Sequence, residues 1–282
     1  MIKVSLIITV FNRKHLLRKA LLSLRQQSEL PDEIIISDDG SEEDILKGIA
    51  DIVGQMHIPM KFVTQENKGF RLAKCRNNGV RISSGNFLIF MDQDLIQSKN
   101  YIKTFISNQK TKKFITSYPI RLSENQSLSI TEKKIIDNDY INIITKAQTN
   151  KIKRQFLKDN FSSFLNKINL DKNKPKIRGG ACAINRIDYE AVNGYDENFT
   201  SWGSEDDDMK RRLNKYGVSG INPFYNEYPL HLHHEPFHIN GERNNKLYND
   251  RRKTEIGKGE FYCRFGLFNP LGDDKIVVTE LN

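Results

Sequence analysis

Two hydrophobic spacings alternate along the first third of the chain. Lys3 to Val10, Glu33 to Ser37, Met60 to Thr64 and Asn86 to Met91 are short apolar runs, the pattern of strands buried on both faces. Between them the period lengthens. Arg13 to Gln27 carries Leu16, Leu17, Ala20, Leu21 and Leu24 at helical spacing and is stopped by Pro31. Helices are also expected over Glu43 to Val53 and over Gly69 to Ile82, the latter carrying Arg71, Arg76 and Asn77. Strands alternating with helices predict an α/β fold, a mostly parallel central sheet flanked by helices on both faces.

In such sheets ligands bind beyond the carboxyl ends of the strands. Two of the predicted strands end in acids, at Asp38-Asp39-Gly40-Ser41 and at Asp92-Gln93-Asp94. Asp39-Gly40 alone is ordinary turn chemistry; the two acidic strand ends together mark a site. Asp92 and Asp94, two residues apart, can turn toward one point. That suits a hard divalent cation, Mn²⁺ or Mg²⁺. No GxGxxG follows the first strand and no GxxxxGK[ST] occurs, so a bound phosphate would need a metal and basic side chains.

Lys99 to Lys176 is rich in Lys, Asn, Ile and Ser. Helices are predicted over Ile130 to Lys146 and Lys151 to Ile168. Leu157, Phe161, Phe164 and Leu165 give the second an apolar face. Packing of that face against the body is the first expectation; a lid, an acceptor-side insertion or a lipid-surface element are the alternatives.

A helix is predicted to begin within Trp202-Gly203-Ser204-Glu205-Asp206-Asp207-Asp208. At about 100° per residue, Met209, Leu213 and Tyr216 form its apolar stripe, and Glu205 and Asp206 fall within about 60° of Met209. Asp207 and Asp208 point further round. Two acids are thus expected on the buried face, where an unpaired carboxylate is costly without a partner or a task. The helix dipole favours one or two acids in a first turn, but does not account for the Trp-Gly before them. Then Pro229 to Pro236 holds three of the chain's six histidines. His231 and His233 alternate and share a face on a strand. One neutral imidazole would complete a metal site begun by Asp94. Asn240 to Asn282 reads as a charged cover or interface with an aromatic patch from Phe261 to Phe268.

Composition narrows the class. A chain of 282 residues makes one large domain or two small ones. Its longest apolar runs, Ser5 to Phe11 and Phe87 to Met91, fall far short of the ~20 residues that span a bilayer. The first residues lack the pattern of a signal peptide. Three cysteines, Cys75, Cys182 and Cys263, form no CxxC pair, so neither a disulfide framework nor a zinc knuckle is expected, and a cytoplasmic location fits. The net charge of +9 is dispersed, and no nucleic-acid-binding motif accompanies it. A nucleotide or an anionic membrane surface is expected as partner, not a nucleic acid polymer.

Together these motifs resemble the inverting glycosyltransferases of family two, which have the Rossmann-like GT-A fold. The first half resembles their nucleotide-sugar half through Thr9-Val10-Phe11-Asn12-Arg13, Ser37 to Ser41, Gln65 to Phe70, Cys75-Arg76-Asn77 and Asp92-Gln93-Asp94. Arg178 to Leu213 resembles the module shared with galactosyltransferases and bacterial chondroitin-type polymerases, through Gly179-Gly180, Gly194-Tyr195-Asp196-Glu197 and Trp202 to Asp207. The resemblance implies a donor half over 1–98, a helical insertion over 99–176, an acceptor and catalytic module over 177–240 and a cover over 241–282.

It also implies roles. A UDP-sugar donor would meet Thr9, Asn12, Asp38, Asp39, Arg76 and Gly180, with Asp92 on the ribose or the metal. Asp94 would bind Mn²⁺ with His233, His231 being the rival. Asp206 would be the general base, with Glu205 and Asp207 holding donor or acceptor sugar and Trp202 stacking on the acceptor. The acceptor would be a glycan, free or lipid-linked, the latter implying peripheral association with the inner membrane. Ser204 departs from the pattern, because relatives usually carry glycine there. A nucleotidyltransferase and a non-catalytic glycan- or lipid-binding module are the competing readings.

Overall fold

The first strand, β1 (Val4–Val10), is buried at every position. Its side chains divide by alternation between two cores: Leu6, Ile8 and Val10 enter one, and Ile7 enters the other. That double burial is why the strand reads as an unbroken apolar run. The computed structural model describes residues 1–167, 175–235 and 246–282.

The predicted alternation follows as α1 (Lys14–Leu24), β2 (Glu33–Asp38), α2 (Ile45–Val53), β3 (Met60–Gln65), α3 (Leu72–Ile82) and β4 (Phe87–Asp92). After it come β5 (Leu95–Ile96), α4 (Tyr101–Ser107), β6 (Lys113–Thr116), β7 (Ile120–Arg121), α5 (Glu124–Ser129), α6 (Glu132–Ile136) and α7 (Lys146–Lys167). The last part holds β8 (Ala181–Asn185), α8 (Arg186–Ala191), α9 (Glu205–Lys215), β9 (Ser219–Ile221), β10 (Leu230–His231), α10 (Lys246–Lys258) and β11 (Ile276–Glu280).

The main sheet has the order β11-β3-β2-β1-β4-β8-β6-β9. Its centre, β3-β2-β1-β4, is parallel; β8 then runs antiparallel to both β4 and β6, and β11 antiparallel to β3. A second sheet, β5-β10-β7, folds the histidine strand against the residues that follow Asp94.

Three features depart from the periodicity. The stretch 99–176 supplies β6 and β7 as well as helices. The helix expected over Ile130 to Lys146 is split: Thr131 caps α6 by accepting from the Lys134 N–H, and Asn138 at φ 59° turns the chain out of it. Of the apolar face expected to pack on the body, Leu157, Phe161 and Phe164 are exposed instead, and Leu165 is half-buried. Ile168, the expected end of that helix, lies outside the described residues. No helix among the described residues is long and apolar enough to cross a membrane.

Candidate active site

Parallel register gathers the predicted donor residues at one sheet edge. It sets Thr9 beside Asp92, Val10 beside Asp38 and Asp38 beside Thr64. The Thr9 hydroxyl donates to Asp92 Oδ1 at 2.9 Å. Asp38 accepts from the Thr64 hydroxyl at 2.7 Å and from the Ser41 N–H at 3.0 Å. Asp39 accepts from the Arg71 N–H at 2.9 Å and from the Gln65 amide. Burial pushes the Asp39 carboxyl up to about 6, against those two bonds. Asn12, at φ 51°, braces the loop: its N–H donates to Ser41 Oγ at 2.6 Å and its Oδ1 accepts from the Glu42 N–H at 2.9 Å. Asp38, Asp39 and Asn12 thus shape the edge while spending much of their hydrogen-bonding capacity within the protein.

β10 pairs with β5 so that His231 lies opposite Leu95, and the Leu232 N–H donates to the Asp94 carbonyl at 3.0 Å. Asp94 Oδ2 then stands 2.8 Å from His234 Nε2 and 3.4 Å from His231 Nε2. One ligand atom from each of the three residues lies within 4.8 Å of the other two. The expected histidine, His233, is not the one beside Asp94. His233 is exposed and offers only its N–H, to Ser127 Oγ at 2.7 Å. The reason is local: β10 ends at His231, so strand alternation stops there, and the turning chain brings residue 234 back instead of residue 233. Asp92 also stands outside this cluster. The donor set fits a divalent cation: Asp94 Oδ1 is buried with no hydrogen-bond partner among the described residues, while Oδ2 meets two imidazoles. The hydrogen bond to Asp94 holds the His234 imidazole above its usual range, against the effect of burial.

Arg76, on α3, joins the strand end to the acidic helix. Its side chain is 2% exposed, and Nη1 lies 3.2 Å from Asp206 Oδ1 and 3.5 Å from Glu205 Oε1. Nη2 lies 3.8 Å from Asp92 Oδ1, and the guanidinium carbon sits 4.8 Å from the centre of the Tyr195 ring. Lost hydration raises the Asp92 carboxyl, Arg76 opposing it; the side chain is 41% exposed, so water reaching it from the open side tempers that rise. Gly179 and Gly180 allow the close approach. A Cβ on Gly180 would sit 1.8 Å from Asp92 Oδ2, and one on Gly179 would sit 2.3 Å from Asp206 Oδ1.

Asp206 accepts three hydrogen bonds: from Arg76, from the Tyr195 hydroxyl at 3.2 Å and from the Gly179 N–H at 2.9 Å. Its side chain remains 28% exposed, in a cleft of about 730 Å³ lined by Trp202, Glu205, Asp207, Lys176 and Arg178 among others. Trp202 is exposed at the rim, and Asp207 reaches Lys176 at 3.9 Å. Glu205 is nearly buried. Lost hydration, and next the charge of Asp206, push its carboxyl up to about 7. Asp94 does not line this cleft; the link to it runs through Arg76 and Asp92.

The inward pair of acids on α9 is Glu205 and Asp208, not Glu205 and Asp206. Asp208 is fully buried because Arg212 Nε pairs with it at 2.6 Å and Arg252 Nε on α10 approaches at 3.7 Å. Helical spacing reveals Arg212, four residues on from Asp208, but not Arg252 on α10; Asp206 is left open to the cleft. His234, Tyr195 and Gly179 are site residues the spacing did not single out. For Tyr195 the available signal was its place in Gly194-Tyr195-Asp196-Glu197, part of the pattern by which this stretch resembles the galactosyltransferase module.

Residues 5–188 match the description Glycosyl transferase family 2, and residues 159–235 that of the N-terminal domain of galactosyltransferase. Chondroitin synthase of Escherichia coli is 27% identical over 240 residues, covering 80% of this chain and 35% of that protein. Hyaluronan synthase of Pasteurella multocida is 25% identical, covering 80% and 24%. Validoxylamine A glucosyltransferase of Streptomyces hygroscopicus subsp. limoneus is 26% identical, covering 76% and 48%. The chain therefore spans between about a quarter and a half of the length of these relatives.

Among solved structures, GalNAc-T7 with UDP, GalNAc and Mn²⁺ is similar with a TM-score of 0.61 at 14% identity, over 91% of this chain and 50% of that one. A mannosyltransferase of Pyrobaculum calidifontis in complex with GDP-Man and Mn²⁺ gives 0.55 at 12% identity, over 92% and 71%. Likeness at such low identity speaks for the fold, and the expected GT-A architecture is the one observed. With most of its length matching the family description on that architecture, this chain belongs to glycosyl transferase family 2.

Proposed function

We propose that this chain is a metal-dependent, inverting glycosyltransferase that moves a hexosyl unit from a UDP-sugar to a hydroxyl of a glycan acceptor. The observation that carries the reading is the setting of Asp206. Its carboxylate faces a cleft large enough for a sugar, is oriented by three donors, and is one arginine away from the acidic strand end. Relatives named as chondroitin and hyaluronan synthases support a role in surface polysaccharide or related glycan synthesis.

Asp206 takes the proton from the acceptor hydroxyl as it attacks the anomeric carbon. Arg76, Tyr195 and the Gly179 N–H fix the carboxylate's direction, so the base needs no rearrangement when the proton moves. One base and one displacement suffice, and a single displacement inverts the anomeric centre. Glu205, its carboxyl raised by burial and by Asp206, in its protonated form donates a hydrogen bond to a sugar hydroxyl and leaves the base role to its neighbour. Trp202 offers its exposed ring to the acceptor, and Asp207 a carboxylate. Thr9, Asp38 and Asp92 form the edge on which the nucleoside rests. A divalent cation held by Asp94, His231 and His234 would neutralise charge on the departing diphosphate.

The test is UDP release with Mn²⁺ across a panel of UDP-sugars, with and without oligosaccharide acceptors, for the wild type and Asp206→Asn. The variant is expected to lose about 10²–10⁴-fold in turnover with UDP affinity retained. Normal turnover in Asp206→Asn would place the base elsewhere, and no release from any UDP-sugar would overturn the donor class.

A further inference from the structure

Helix α7 buries Ile152, Asp159 and Ser162 on its inward face and turns Leu157 and two of its three phenylalanines outward. Asp159 is fully buried and Ser162 is 5% exposed, whereas Leu157, Phe161 and Phe164 are 61%, 65% and 59% exposed. The inward face is well held: Asp159 accepts from Gln155 Nε2 at 2.8 Å and from Asn222 Nδ2 at 2.9 Å, and Phe156 meets Tyr225 edge-on with ring centres 5.1 Å apart. At about 100° per residue, Leu157, Phe161 and Phe164 fall within an arc of roughly 60°, with Arg154 and Lys158 on one flank and Lys153 on the other. The helix has six basic residues and a single acid, and the acid is the buried Asp159. Arg154 and Lys158 are exposed, and among the described residues no ion pair holds them; Lys153 is half-buried, its ammonium 5.2 Å from the centre of the Tyr225 ring.

We propose that this face of α7 docks on an anionic lipid surface. An apolar strip flanked by basic side chains is the arrangement with which a helix lies in a bilayer interface, rings among the acyl chains and cations at the headgroups. Charge decides the occupant. A second copy meeting this face across a two-fold axis would set like-charged Arg154, Lys158 and Lys153 against one another, while anionic headgroups neutralise them. The helix is also tied to the cleft wall: Asp159 hydrogen-bonds Tyr118, whose ring lies 5.2 Å from the Arg178 guanidinium, and Arg178 lines the cleft. Docking on α7 therefore holds that wall of the cleft near the bilayer.

The full chain should co-sediment with vesicles of phosphatidylcholine mixed with phosphatidylglycerol, and not with phosphatidylcholine alone. Phe161→Ser with Phe164→Ser should abolish binding. Lys153→Gln with Arg154→Gln and Lys158→Gln should weaken it on the order of 100-fold, and high salt should weaken the wild type likewise. Phe161, Phe164, Arg154 and Lys158 are exposed and Lys153 is half-buried, so circular dichroism of both variants should match the wild type. Failure of the wild type to bind the mixed vesicles, or full retention by the phenylalanine variant, would overturn the proposal. So would a dimer in analytical ultracentrifugation that the phenylalanine variant converts to monomer. The measurement reads lipid binding and not sugar transfer, so its outcome is independent of the catalytic reading.

Discussion

Arg76 Nη1 and Asp206 Oδ1 lie 3.2 Å apart, although 130 residues separate them in the chain. The same guanidinium faces Glu205 and Asp92, so one buried cation balances three carboxylates drawn from two ends of the sequence. Removing one member of a buried charge cluster leaves the others uncompensated, which costs about 3–5 kcal/mol. Arg76→Met should therefore destabilise the protein by an amount in that range in urea titrations, and adding Asp206→Asn should restore part of it. A loss below about 1 kcal/mol, the ordinary scale of an exposed pair, would show that the cluster is balanced by other means.

The histidine assignment separates two variants that the sequence alone treats alike. His234 Nε2 lies 2.8 Å from Asp94, while the His233 side chain is exposed. His234→Ala should lower Mn²⁺ affinity at least about 10-fold, since even outer-shell losses reach that size, and His233→Ala should leave it unchanged. Calorimetric titration of Mn²⁺ in the presence of UDP distinguishes them. Equal losses in the two variants would return the ligand set to open choice.

The contrast shows what was legible in the chain and what was not. β1, β2, β3 and β4 were readable because strands buried on both faces have to be apolar throughout, and their register then fixed Thr9, Asp38 and Asp92 at one edge. Their acidic ends pointed to Asp94, and the Trp202 motif pointed to Asp206. His234 and not His233 stands beside Asp94 because alternation holds only while a strand lasts, and β10 is two residues long. Of the two acids expected inward on α9, Glu205 is buried, but Asp208 takes the place of Asp206 because Arg212 pairs with it and Arg252, 44 residues on, approaches from a helix that no periodicity connects to it. The outward Leu157, Phe161 and Phe164 of α7 were not legible as such, because Ile152 on the same helix does turn to the core as the usual rule expects.

Glu205 makes stability depend on pH. Its carboxyl is raised from 4.5 to about 7 in the folded protein, first by burial and then by Asp206. Between those values the native state binds more protons than the unfolded chain, so this group's contribution falls as pH rises through that window and is flat above it. The fall is on the order of 3 kcal/mol at most. Glu205→Gln keeps the shape without the charge, so the difference in stability between variant and wild type should grow from pH 5 to pH 7.5. Because Asp39 is also raised, to about 6, the difference between the two proteins is the quantity to follow. A difference that stays constant across this range would rule out titration of Glu205 there.

Ser204 starts the acidic helix in a backbone conformation that suits glycine. Its φ is 78°, and its side chain makes no capping bond, although serine is among the residues that normally provide one. The left-handed region costs a non-glycine residue about 1–2 kcal/mol, while glycine in the unfolded chain is freer by about 0.4–1 kcal/mol. The strain term is the larger, so Ser204→Gly should stabilise the protein by about 0.5 kcal/mol. Ser204→Ala keeps the strain and removes only an unused hydroxyl, so it should lie within a few tenths of a kcal/mol of the wild type, in contrast to the ~1 kcal/mol lost with a working cap. Urea midpoints of the three proteins give the order directly. If alanine destabilised and glycine did not stabilise, the serine hydroxyl would be acting as a cap in solution, and the turn before Glu205 and Asp206 would differ from the one described.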